Sequence, residues 1–230
     1  MRTVTCLKMA FAGSMLLVLV ASCNEQAGKG GGEGMPLVFE TDFEDGSLNA
    51  WQATDPEAWR IENGNGGRVL ALYKQSNYKP EVRSPVNINL IKDVVVGSFV
   101  LELKMHSTTK DYGHRDMCVF FGYQDPSHFY YIHVANQSDA HANSIFIVDG
   151  QPRVSIAKTR TEGTKWDDEW HTVRVQRDVE EGTIKVFSDD GIEPIMTAVD
   201  HKFKWGKVGV GSFDDTGQFD EICLQGLKNK

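Results

Sequence analysis

Helical periodicity, long apolar runs, metal-type cysteine spacings and an excess of positive charge are all missing from this 230-residue chain. No stretch of a dozen residues repeats its apolar positions every 3.6 residues, so long amphipathic helices are not expected. Beyond the first two dozen residues no apolar run approaches the roughly 20 residues that span a bilayer. Lysine and arginine number 24 against 32 aspartates and glutamates, a formal net charge of −8. An acidic surface repels phosphate backbones, which excludes nucleic acid as an expected partner. No internal repeat is present. Of the four cysteines, Cys6 and Cys23 fall near the N-terminus. Cys118 and Cys223 sit in apolar, strand-like runs and fit either a disulfide of an oxidising compartment or two buried thiols.

What is there begins with an export signal. Arg2 and Lys8 form a positive n-region, and Phe11 to Val20 form an apolar stretch of about ten residues, within the range of a secretory h-region. Val20-Ala21-Ser22-Cys23 resembles a bacterial lipobox. The reading is a leader over 1–22, cleaved after Ser22, with lipid on Cys23. Two or three acyl chains suffice for stable anchoring. Losing Arg2 and Lys8 with the leader takes the charge from −8 to −10. Residues 23–35 then form a glycine-rich tether, and 36–230 is of single-domain size. The expected place is the bacterial cell envelope, and the expected state a monomer.

The domain reads as strand and turn. Val100 to His106, Thr172 to Gln176 and Thr183 to Phe187 alternate apolar and polar residues, the period of a half-buried strand. Met117 to Tyr123, Phe129 to Ala135 and Ile145 to Val148 are more continuously apolar, as in central strands. Asn63-Gly64-Asn65-Gly66-Gly67, Asp149-Gly150 and Asp190-Gly191 are turn signals. Many short strands without intervening helices predict an all-β, antiparallel two-sheet sandwich.

Three segments carry a resemblance. Trp170-His171-Thr172-Val173-Arg174-Val175 with Gly182-Thr183-Ile184-Lys185-Val186-Phe187-Ser188-Asp189-Asp190 is similar to a segment of laminin-G-like jelly rolls. Gly206-Lys207-Val208-Gly209-Val210-Gly211-Ser212-Phe213 and Gly217-Gln218-Phe219-Asp220-Glu221-Ile222 resemble their ending. Asp42-Phe43-Glu44-Asp45-Gly46, with Trp51 and Trp59, resembles their opening strand. The group is the concanavalin A-like lectin/glucanase superfamily, and in particular bacterial 3-keto-disaccharide-hydrolase-like lipoproteins. The resemblance implies a jelly roll, a fold that hosts lectins, glycosidases, lyases and spacers. One departure matters: the acidic run Asp167-Asp168-Glu169 lacks the E-x-D-x-E spacing of family-16-type glucanases, so a family-16-type mechanism is not expected of it. Asp167, Asp168 and Glu169 are adjacent, so on a strand their carboxylates would diverge. A retaining pair about 5–5.5 Å apart is therefore not expected there.

Two candidate sites follow. The first and last strands of a jelly roll usually pair, which would bring Asp42 and Glu44 toward Asp220 and predict a structural Ca²⁺. The second site is the histidine-rich centre. On a strand over 129–137, Phe129, Tyr131, His133, Ala135 and Gln137 share one face. Glu102, Lys104 and His106 share a polar face on another strand. If the two faces coincide they form a concave groove for a polysaccharide or oligosaccharide, with tyrosine as a flat ring and histidine and glutamine as hydrogen-bonding groups. The same types fit catalysis. His133, Tyr131, Arg115 and Gln137 are the residue types of a polysaccharide lyase. His106, His114, Asp116 and His133 are candidate ligands for a metal-assisted keto-glycoside hydrolase. Trp166, Trp170 and Trp205 are possible sugar platforms, with Trp170 read as core. Arg153, Lys158 and Arg160 read as a solvated strand face or as contacts to an acidic glycan. A non-catalytic structural or adhesion module is the remaining alternative.

Overall fold

The computed structural model describes residues 34–228. The leader and the Cys23 anchor fall outside the described residues. Fifteen strands follow in order: β1 (Leu37–Thr41), β2 (Trp51–Ala53), β3 (Trp59–Gly64), β4 (Gly67–Leu72), β5 (Asn87–Ser107), β6 (Asp116–Asp125), β7 (His128–Ala135) and β8 (Ser144–Asp149), then β9 (Val154–Ser155), β10 (Ala157–Arg160), β11 (His171–Arg177), β12 (Thr183–Ser188), β13 (Met196–Val199), β14 (Gly206–Ser212) and β15 (Gly217–Lys228). One 3-10 turn, Pro56–Ala58, is the sole helical element among the described residues. Every strand pair is antiparallel, as the hairpin-rich sequence requires.

The 21-residue β5 belongs to both layers. Its first part pairs with β2 and β14, and β14 leads through β6, β7 and β8 to β9; this is the first sheet. Its second part pairs with β11 and β15. From there β12, β13 and β10 extend one way and β4 and β3 the other, with β1 on β15, forming the second sheet. The main core lies between them. Leu101, Leu103 and Met105 of β5 and Val173 and Val175 of β11 meet Met117, Val119 and Phe121 of β6 and Tyr130, Ile132 and Val134 of β7. Alternation then sends the intervening side chains to the two outer faces.

Turn chemistry holds the hairpins. Between β3 and β4, Asn65 and Gly66 take φ of 46° and 80°, a two-residue turn with both positions left-handed. That backbone matches strand twist and favours the Asn-Gly pair. In Asp42-Phe43-Glu44-Asp45-Gly46, Phe43 has φ of 58° and is fully buried against Trp51. The Asp42 and Asp45 carboxylates accept from the backbone N–H groups of Glu44 and Ser47.

Candidate functional site

The outer face of the first sheet is closed. Phe129, Tyr131, Phe146, Val148, Phe120, Cys118, Ile88 and Leu90 form a second apolar cluster there, and all are buried. Val82, from the irregular segment 73–86, packs against it. Arg83 O of that segment accepts from Arg153 N at 3.0 Å. The Arg153 guanidinium lies over the rings of Phe213 (4.0 Å) and Phe146 (5.0 Å) and donates to the Tyr131 hydroxyl at 2.9 Å. Tyr131 is 0% exposed and stacks on Phe146 at 5.1 Å. Its ring therefore has no free face for a sugar, and burial pushes its hydroxyl pKa up.

Beside this cluster lies a polar corner. Cys118 and His133 are directly paired across β6 and β7, and Asp116 sits two residues before Cys118 on the same face. All three are buried. Asp116 Oδ2 accepts from Cys118 Sγ at 3.3 Å and from Phe213 N at 2.7 Å, and lies 3.6 Å from His133 Nε2. Asp116 Oδ1 is buried without a hydrogen-bond partner among the described residues. Burial raises the Asp116 carboxyl well above its usual value, and the nearby Asp215 and Asp214 add to this. Burial also raises the Cys118 thiol, with Asp116 adding to it. His133 falls to about 3, through burial first and then Arg153. The imidazole is thus neutral at pH 7, and its contact with Asp116 is not an ion pair. Cys118 is a free thiol, so it forms no disulfide with Cys223.

The expected groove does not assemble. Tyr131 and His133 lie on the outer face of the first sheet, whereas Glu102, Lys104 and His106 alternate with core residues on the second. The two sets point away from each other across the whole sandwich. Gln137 lies past the end of β7 in an exposed turn. Arg115 is buried, donating to Ser107 O at 2.7 Å, to Ser107 Oγ at 3.1 Å and to Asp168 at 3.0 Å. The four lyase-type residues therefore do not converge. Of the four candidate metal ligands, Asp116 and His133 meet; His114 pairs with Asp139 at 2.8 Å, and His106 is on the other sheet.

The calcium grouping also does not form, although β1 and β15 pair as expected. Glu44 Oε1 accepts from Arg68 N at 2.7 Å. Asp220 accepts from Asn65 Nδ2 at 2.7 Å, beside a bulge where Glu221 takes φ of 45°. Burial raises the Asp220 pKa, against the hydrogen bonds from Asn65 and Glu221 N–H. Among the described residues, the acid, histidine and cysteine side chains that do gather in threes are Asp116 with Cys118 and His133, and Asp116 with Asp214 and Asp215.

The outer face of the second sheet is open and carries a different constellation. The indole of Trp170 packs on the His106 imidazole, with centroids 5.3 Å apart and planes 32° apart, and both residues are half-buried. His106 Nδ1 is 3.0 Å from Gln218 Oε1, and Gln218 Nε2 donates to Glu62 at 2.7 Å. Lys104 pairs with Glu221 at 2.7 Å, next to Asp220 and Asn65. Four strands contribute: β3, β5, β15 and the entry to β11. Trp170 is not the core residue expected of it, because it precedes β11 and turns outward onto β5. Its partner Trp166 is the buried one, donating to Val134 O at 3.0 Å.

This topology defines an all-β, antiparallel two-sheet jelly-roll sandwich. Neither a scan of family models nor a search of curated protein sequences gives a match. Solved structures do match. The carbohydrate-binding module CBM66 from Bacillus subtilis superposes with a TM-score of 0.53 at 16% identity, over 76% of this chain and 95% of that one. Domain 4 of AbnA, a GH43 extracellular arabinanase from Geobacillus stearothermophilus in complex with arabinotriose, gives 0.57 at 11%, over 85% and 95%. Winged bean acidic lectin complexed with methyl-α-D-galactose gives 0.58 at 11%, over 84% and 98%. Identities this low carry the fold and nothing finer.

Proposed function

We propose that this domain is a glycan-binding module that uses the outer face of the second sheet around Trp170 and His106. The observation that carries the reading is the half-exposed indole on His106, continued by Gln218, Glu62, Lys104 and Glu221. A sugar ring needs an apolar plate for its C–H face and a dense set of donors and acceptors for its hydroxyls. This face has both within reach of solvent. The printed names of the three structures described above, a carbohydrate-binding module and two sugar complexes, support the class of ligand. Binding rather than turnover is favoured because the nearby carboxylates are already engaged, Glu62 with Arg60 and Gln218, and Glu221 with Lys104. The lipobox at Cys23 supports display of the module at the bacterial envelope.

A glycan array, followed by affinity electrophoresis on the polysaccharides that respond, tests the binding. Wild-type protein should be retained and Trp170→Ala should run free. Equal retention of both would remove the site. Cys23→Ser should move the protein from the membrane to the soluble fraction; continued sedimentation with membranes would refute the anchor.

A further inference from the structure

The polar corner on the opposite face needs its own explanation. Strand register places Asp116, Cys118 and His133 side by side with no help from loops. Their donor atoms lie within 4.8 Å of one another. Two of the separations are 3.3 Å for Sγ–Oδ2 and 3.6 Å for Nε2–Oδ2. The second is too long for a hydrogen bond. Both lie close to the edges of a tetrahedron around zinc, which are about 3.3–3.5 Å for the usual Zn–O, Zn–N and Zn–S lengths. Among the described residues Asp116 Oδ1 is buried and lacks a partner, which is costly in a metal-free interior and leaves the carboxylate a second oxygen for an ion held through Oδ2. Phe213 N–H fixes the carboxylate through Oδ2, the kind of outer contact that orients a ligand.

We propose that Asp116, Cys118 and His133 bind a divalent transition metal of the zinc type. A thiolate, a carboxylate and a neutral imidazole around a 2+ ion make a site with no net charge, which suits burial. Thiolate and imidazole favour zinc or cobalt over calcium or magnesium. Binding has a local cost. Asn143 N–H now donates to His133 Nδ1 at 3.4 Å. A neutral imidazole that ligates through Nε2 carries its proton on Nδ1, so this amide must turn away. The site joins β6, β7 and the turn after β14, and is separate from the proposed glycan face.

Co²⁺ titration of the full chain tests the proposal, because thiolate ligation gives a charge-transfer band and tetrahedral geometry gives intense d–d bands. The expected result is both bands, bleached by Zn²⁺, with the charge-transfer band lost in Cys118→Ser. Asp116→Asn and His133→Gln should weaken binding by more than about 100-fold, beyond what loss of a merely supporting residue does. No thiolate band in the wild type at saturating Co²⁺ would overturn the site, as would a band that persists in Cys118→Ser. If the variants fail to fold, wild-type NMR decides: Zn²⁺ should shift the His133 ring and Asn143 amide resonances, and unmoved resonances would count against it.

Discussion

On the first sheet, the outward residues Phe129, Tyr131, Phe146 and Val148 are as buried as the main core; on the second, the outward residues Glu102, Lys104 and His106 stay within reach of solvent. Both sets come from the same strand alternation. The difference lies in what crosses them. Segment 73–86 and Arg153 lie over the first, and among the described residues nothing comparable crosses His106 and Trp170. An outer face becomes a second core when a loop covers it, and remains a candidate surface when none does. Residue types that look alike on paper, a tyrosine and a histidine on alternate positions, thus perform structural work on one side and remain available for recognition on the other.

A matched pair of truncations should separate the two faces most strongly. Tyr131→Ala should lower unfolding free energy by about 3–5 kcal/mol, as for a large buried ring. His106→Ala should cost less than about 1 kcal/mol. Equal losses in urea denaturation would mean that both faces are core.

Alkali should separate the faces next. Burial raises the hydroxyl pKa values of Tyr123, Tyr130 and Tyr131, all on strands of the first sheet. A group whose folded pKa is raised contributes stability that is complete below its unfolded value near 10 and is lost as pH climbs toward the folded value. Tyrosinate absorbance should therefore rise together with loss of the fold above about pH 10. A smooth titration of these tyrosines in a still-folded protein would contradict their burial.

A smaller effect is expected on binding. Trp170→Ala should weaken glycan affinity by about 2 kcal/mol, roughly thirty-fold, as for an aromatic anchor. The folded fraction of Tyr131→Ala should bind normally by calorimetry. A reversed pattern would move the site to the first sheet. Smallest is Asn65→Ala, which forces alanine into φ of 46° and removes the bond to Asp220. It should cost about 1–2 kcal/mol by thermal melting. No loss would show that the β3–β4 turn adapts freely.

Much of the fold was legible. The alternation in 100–106, 172–176 and 183–187 located β5, β11 and β12 and sorted their two faces correctly. The continuously apolar run at 129–135 also held the clue that β7 is buried on both sides, since a strand with one wet face keeps a polar alternate. What the sequence does not display is the cover. Segment 73–86 has no periodicity, and its contact through Val82 is made far along the chain. Alternation alone puts Gln137 on the face of Tyr131 and His133, but β7 stops at Ala135. Asp116 and His133 were recognisable as donors, but Cys118 reads as one more apolar strand residue until register sets it opposite His133. The motif points Trp170 to the core, while the chain seats Trp166 there instead.

The shared strand β5 has a consequence for how the molecule opens. At about 3.3 Å per residue its 21 residues run roughly 70 Å, far longer than either layer needs. Ile88 pairs with β14 and Leu101 with β11 and β15, and one unbroken strand joins the two ladders. Amide exchange at those two ends should therefore follow a single opening free energy. Sugar bound to one face and a metal held on the other would then slow exchange across both halves alike, two ligands drawing on one equilibrium without ever touching.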